Sequence, residues 1–140
     1  MNRKKASTRF ITFEGGEGVG KSTQVTHLSN LLNKIDIQHI VTREPGGSPG
    51  AEELRKLLVE GEPSRWDAVT ETLLHFAARR DHLVNTIKPA LENKNWVLCD
   101  RYVDSTFAYQ GYGHGVPLEG VGEIYNLINI KLRPDLTFIL

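Results

Sequence analysis

Apolar residues in this 140-residue chain fall into short continuous runs and into longer stretches where they recur every three or four positions. Residues 9–14 (RFITFE) form a β-branched and aromatic run that ends on glycines, which predicts a buried strand entering a turn. From Lys21 the apolar positions Val25, Leu28, Leu31, Leu32 and Ile35 follow helical spacing, and residues 38–42 (QHIVT) supply the next strand of a β-α-β unit. A second helix is predicted over 51–59, where Leu54, Leu57 and Leu58 make one stripe, with Gly61 and Pro63 ending it. A longer helix is predicted from about Trp66 to Ile87. Residues 96–99 (WVLC) give a third strand that closes on Asp100, and residues 136–140 (LTFIL) a fourth, after the breaker Arg133-Pro134-Asp135. Strands alternating with helices imply an α/β fold, a doubly wound parallel sheet with helices on both faces.

Angular counting along the long helix places Val69, Leu73, Phe76, Leu83, Val84 and Ile87 on one side, expected to be core, and Thr72, His75 and Arg79 on a neighbouring face. His75 and Arg79, four apart, point the same way. On pattern alone that face reads rather as a solvated polar surface.

Composition narrows the function classes. With 39% hydrophobic residues the chain can bury one core, and residues 9–140 are expected to form a single domain behind a frayed basic tail at 1–8. Seventeen Lys plus Arg balance seventeen Asp plus Glu, so no net positive field draws in nucleic acid or an anionic membrane. The apolar run at 10–13 is too short for a signal peptide or a membrane span. The one cysteine, Cys99, excludes an internal disulfide framework and reads as a small residue of a buried strand, in keeping with a reducing cytoplasm. The sequence stops inside an apolar run, from which the domain is expected to be incomplete on its C-terminal side.

The strongest chemical signal is G-x-x-x-x-G-K-[ST], running through Gly15, Gly16, Glu17, Gly18, Val19, Gly20, Lys21 and Ser22, with Thr23 next, between a predicted strand and a predicted helix. Glycines let successive N–H groups turn toward one anion, and a helix N-terminus adds partial positive charge. Lys21 is expected on the β and γ phosphates of ATP and Ser22 on Mg²⁺. A phosphate loop alone leaves GTPases, motors, kinases and regulatory switches open. No Asn-Lys-x-Asp is present to read guanine.

Asp100-Arg101 follows an apolar strand, so it belongs at the carboxyl edge of the sheet, where α/β folds bind ligands. Asp100 could orient a metal or its waters there. The Arg101 guanidinium could neutralise an acceptor phosphate and the charge of a transferring group. Alone, the dipeptide reads rather as a surface ion pair, and beside the phosphate loop it reads as part of the site. Thr42 to Gly47 (TREPGG) ends the second strand at the same edge and is expected to carry a cis peptide between Glu44 and Pro45.

Five segments in order, FEGGEGVGKST, TREPGGSPGAEELRKLL, HFAARRDHL, DRYVDSTFAYQGYG and LRPDLTFIL, resemble the bacterial thymidylate kinase family across essentially the whole chain after residue 8. The resemblance implies ATP and dTMP as substrates, Mg²⁺ as cofactor and a homodimer. It implies that Glu17 accepts from the sugar 3′-hydroxyl, that Arg55 and Arg101 hold the dTMP phosphate, and that Arg79 donates to the thymine edge. Gln110 and Thr106 would contact the base, Tyr109 would press on the sugar, and Glu44 and Asp100 would lie near Mg²⁺. At the position where relatives usually carry a base-stacking phenylalanine this chain has His75, with Phe76 beside it, and either ring could stack. Gly18 stands where some relatives have a phosphate-loop arginine, so the resemblance implies the type that depends on lid arginines instead, and that lid is absent from the sequence. Residues 1–140 alone are therefore expected not to turn over dTMP at a useful rate. The rivals are a deoxynucleoside kinase, which needs a base for a sugar hydroxyl, and a nucleotide-binding domain without turnover.

Overall fold

The computed structural model describes residues 7–129 and 131–140; most of the expected tail at 1–8 lies outside them. Four strands, β1 (Phe10–Glu14), β2 (His39–Arg43), β3 (Trp96–Asp100) and β4 (Leu136–Ile139), form one parallel sheet in the order β2-β3-β1-β4. All four were legible as apolar runs, to within a residue at most of their ends. The runs are continuous rather than alternating because the central strands are buried on both faces. Phe10, Val97 and Cys99 pack on one side with Phe76, Leu83 and Tyr102, while Ile11, Phe13 and Leu98 pack on the other with Val25 and Leu32.

Helix α1 (Lys21–Lys34) covers the second face and α2 (Pro49–Val59) follows β2. The long helix departs from expectation. It begins at α3 (Ala68–His82), where the Asp67 carboxylate accepts from the N–H groups of Val69 and Thr70, then passes through a π-helical turn, Leu83–Ile87, into α4 (Lys88–Glu92). Pro89 has no N–H for an ordinary helical bond, and just before it the Lys88 N–H reaches back to the Leu83 carbonyl. Phe76, Leu83 and Ile87 are core as expected, but Val69, Leu73 and Val84 are exposed, and Thr72 and Arg79 are buried instead. The buried stripe of α3 is thus partly polar.

Three helical segments have no counterpart in the sequence reading: α5 (Val103–Thr106), a π-helical stretch Phe107–Gly113, and α6 (Leu118–Ile128). They pack Val121 and Tyr125 under Tyr102 and carry Thr106, Tyr109 and Gln110. The register sets Arg43 opposite Asp100, and Asp100 opposite Phe13, so the carboxyl ends of β2, β3 and β1 lie side by side. The site is built there.

Candidate active site

The chain leaves β1 through the glycine loop and enters α1 at Gly20, whose φ of 99° is left-handed. Any side chain would be strained there. At Gly15, also at positive φ, a Cβ would lie 2.6 Å from the Leu140 carbonyl oxygen. Among the described residues no side chain caps the first turn of α1, which leaves its N–H groups free for an anion. Lys21, nearly buried, folds back so that Nζ donates to the carbonyls of Gly15 (3.1 Å) and Gly16 (2.6 Å). The Ser22 hydroxyl donates to Asp100 Oδ2 at 2.9 Å, so the loop and the end of β3 meet as expected.

Lys21, Ser22 and Asp100 border a cavity of about 530 Å³, together with Glu17, Gly18, Gly20, Thr23, Glu44, Pro45, Arg55 and Arg101, while Gly15 and Gly16 meet it only through Lys21, which their carbonyls hold. Arg55 reaches it from α2 and donates to the Pro45 carbonyl at 2.8 Å. Val19 is exposed and borders no part of it. A smaller cavity of about 290 Å³ is bordered by Glu71, His75, Arg79, Thr106, Tyr109 and Gln110, with His114. Glu17, Glu44, Pro45 and Arg101 border both, so the two spaces adjoin.

Arg101 stands at the junction. Its φ of 68° turns the side chain back over the sheet edge, while its N–H stays bonded to the Phe13 carbonyl at 2.8 Å. Nη1 donates to Gly15 O (2.9 Å) and Ser105 Oγ (3.2 Å), Nη2 donates to Glu17 Oε1 (2.5 Å), and the guanidinium lies over the Tyr109 ring. Glu14, which the sequence reading missed, fixes this turn by accepting from the Tyr102 N–H and the Ser105 hydroxyl. Burial, opposed by those hydrogen bonds, raises its carboxyl above the usual range.

Glu44 follows the last residue of β2, beside the phosphate loop. Its peptide to Pro45 is cis as anticipated. Its carboxylate borders the larger cavity with Ser22 and Asp100 and also meets a partner on each oxygen: Arg79 Nε donates to Oε2 at 2.6 Å, and His82 Nδ1 lies 3.0 Å from Oε1. Burial alone would raise the Glu44 carboxyl, but the Arg79 charge and the His82 hydrogen bond outweigh it and hold it below its ordinary value. Ser22 and Asp100 on the same cavity carry oxygens of the kind that a hard cation takes. Among the described residues no group of three His, Cys, Asp or Glu side chains is placed to hold a metal ion.

In the smaller cavity, Arg79 Nη2 donates to Thr106 Oγ1 (3.1 Å), and Gln110 Nε2 donates to Glu71 Oε1 (2.8 Å). Arg80, by contrast, points out to the Ile128 carbonyl. Of the two candidate stacking rings only His75 borders the cavity. Phe76, named as a possible substrate contact, is 1% exposed in the core and borders neither cavity. Glu71 and His114 were not foreseen; Glu71 lies four residues before His75, so the same helical count would have found it. Cys99 is fully buried, and burial pushes its thiol well up, as a structural residue should be.

Burial, and then the Arg79 charge, hold the His75 imidazole down at about 4. The folded protein therefore takes up this proton only near pH 4, the unfolded chain near pH 6.5, so stability is lost as pH falls between the two, by up to roughly 2 kcal/mol at pH 5. His75→Phe is expected to flatten this acid limb. Unfolding midpoints at pH 7 and pH 5 should differ less in the variant than in the parent, and an unchanged difference would put the acid sensitivity elsewhere.

Residues 13–140 match the family model for thymidylate kinase. The chain is 49% identical over 132 residues to thymidylate kinase of Rhizorhabdus wittichii, covering 94% of this chain and 64% of the relative. It is 56% identical over 133 residues to that of Nitrobacter hamburgensis, covering 94% and 57%. The solved structure of thymidylate kinase from Ehrlichia chaffeensis superposes with a TM-score of 0.87 at 43% identity, covering 95% of this chain and 75% of that one. The chain thus spans about 57–64% of the length of the curated relatives.

Proposed function

As the chain belongs to the thymidylate kinase family, we propose that it forms the phosphate-loop and acceptor side of an enzyme that transfers the γ-phosphoryl of ATP to dTMP, giving dTDP and ADP. The observation that carries this reading is the adjoining pair of cavities, one walled by the phosphate loop and one by polar side chains of base-binding type, with Arg101 at their junction. ATP phosphates lie in the larger space over Lys21 and the first turn of α1. The thymine lies in the smaller one against His75, Arg79, Thr106 and Gln110, with Tyr109 beside the sugar. A dTMP phosphate oxygen attacks the γ-phosphorus in line while the bond to ADP breaks, so the protein's task is positioning and charge neutralisation.

Arg101 and Arg55 hold the acceptor phosphate, and Glu17, once released from Arg101, accepts from the sugar 3′-hydroxyl. Mg²⁺ held by Ser22 and Asp100 would supply further neutralisation of the phosphate oxygens. Among the described residues no helix is long and apolar enough to cross a membrane. Together with a balanced charge and a buried free cysteine this supports a cytoplasmic setting without nucleic-acid partners. Val69 and Leu73, exposed one turn apart on α3, and Leu127, exposed on α6, support a homodimer.

The test is phosphorylation by Mg-ATP in the whole gene product, which should consume dTMP and leave thymidine untouched. The same preparation should sediment at twice the monomer mass. Turnover of thymidine instead would indicate a nucleoside kinase, and ATP binding without turnover a non-catalytic domain.

A further inference from the structure

Behind the smaller cavity four side chains join in one buried line: Thr42 on β2, His82 and Arg79 on α3, and Glu44 between β2 and α2. His82 is 0% exposed, Arg79 3%, Glu44 6% and Thr42 9%. His82 Nε2 lies 2.7 Å from Thr42 Oγ1, and Nδ1 lies 3.0 Å from Glu44 Oε1. A carboxylate only accepts, so Nδ1 carries a proton. Glu44 Oε2 in turn accepts from Arg79 Nε. The Arg79 guanidinium, set between the Phe76 and Tyr102 rings at 5.1 and 5.2 Å and tied to Thr106, keeps Nη1 without a partner among the described residues.

We propose that His82, which borders neither cavity, is a positioning residue for nucleobase recognition: it holds Glu44, and through Glu44 the Arg79 guanidinium, in the orientation in which Arg79 walls the smaller cavity. This rests on reading that cavity as the acceptor-base site. Glu44 needs such a hold because it borders both cavities, and the larger one contains Arg43 and Arg55. Without the N–H of His82, one Glu44 oxygen is buried without a donor, and a turn toward Arg55 would satisfy it. Arg79 would then lose the partner of its Nε. His82 also fits tightly under the loop, since a Cβ at Gly47 would run into its ring and into the Thr42 hydroxyl. The strut therefore ties α3, which carries His75 and Arg79, to the loop that carries Glu44 and Pro45.

The experiment compares His82→Leu, His82→Asn and Thr42→Val in the whole gene product. It reads dTMP affinity by calorimetry, KM for ATP, the unfolding midpoint, and the solvent exchange of the Arg79 Nε–H proton by NMR in ligand-free protein. His82→Leu removes both polar contacts and should weaken dTMP binding about tenfold, leave KM for ATP unchanged and speed exchange at Arg79 Nε. His82→Asn can still donate to Glu44 and should restore most of the affinity and the slow exchange.

Thr42→Val keeps the packing and removes only the hydroxyl at Nε2, so a loss of about threefold is expected. Wild-type dTMP affinity in His82→Leu would overturn the proposal, as would an equal loss in His82→Asn and His82→Leu, which points to volume rather than the N–H. If His82→Leu does not fold, unchanged dTMP affinity in Thr42→Val overturns it. A wild-type protein that bound no dTMP would overturn the functional reading instead, while exchange at Arg79 Nε would still decide the positioning role.

Discussion

Replacing Lys21 by alanine should lower kcat by on the order of a hundred- to a thousandfold while leaving KM for dTMP nearly unchanged. The asymmetry follows from where Lys21 sits. It borders the larger cavity and has no part in the smaller one, so its charge reaches the donor phosphates and not the nucleobase. Its Nζ is held by the Gly15 and Gly16 carbonyls of its own loop, which keeps the ammonium at the loop's centre. Charge on the γ-phosphoryl oxygens changes most as the transition state forms, so a cation aimed there acts on rate more than on ground-state binding. Steady-state kinetics with each substrate varied in turn, beside an unfolding curve to exclude a folding defect, decides it. An equal loss in kcat and in dTMP affinity, or undiminished turnover, would remove Lys21 from this role.

Much of this site could be read before any geometry was known, and for identifiable reasons. The phosphate loop declares itself because glycine spacing, Lys21 and Ser22 are fixed by local backbone demands, and the flanking strand and helix have strong periods of their own. Asp100 and Arg101 were placed because a strand's end locates its last residues on the sheet edge. What failed was the rule that apolar residues of a helix face inward. Thr72 of α3 is buried with its hydroxyl bonded to the Ala68 carbonyl of its own helix, whereas Arg79 and His82 are buried because partners supplied from outside the helix satisfy them; Glu44 is 35 residues from Arg79, and Thr42 is 40 from His82.

No local count contains such a partner, so Val69, Leu73 and Val84 were assigned to the core and are exposed. The same blindness hides the buried arginine and histidine that meet the two oxygens of Glu44. The stretch 103–113 mixes glycines and tyrosines with small polar residues and has no clear helical stripe, so its short helices went unread. Helix α6, with Leu118, Val121, Ile124, Tyr125 and Ile128 at helical spacing, carries a stripe that the sequence does display.

Arg101→Ala is expected to be the most damaging single change, costing both dTMP affinity and turnover, with kcat/KM for dTMP down by about three to five powers of ten, as for other arginines that cover phosphoryl charge. Arg101 alone combines three features: it borders both cavities, it carries a delocalised charge, and it is held by four contacts that aim it at their junction. Two of those contacts, the Gly15 carbonyl and Ser105, set the plane of the guanidinium. The third, Glu17, is an exposed carboxylate that a phosphate dianion can displace without disturbing the other two. Binding of the acceptor thus exchanges one anion for another on an already oriented fork, and little reorganisation remains when the phosphoryl group moves. Lysine at 101 supplies charge but not the fork: it cannot bond Gly15, Ser105 and a phosphate at once, and should recover only a small part of the rate. Calorimetry with dTMP in the absence of ATP separates the binding loss from the loss in turnover, and both should appear. Full activity in Arg101→Ala would reduce Asp100-Arg101 to an ion pair at a strand end and leave the acceptor phosphate to Arg55.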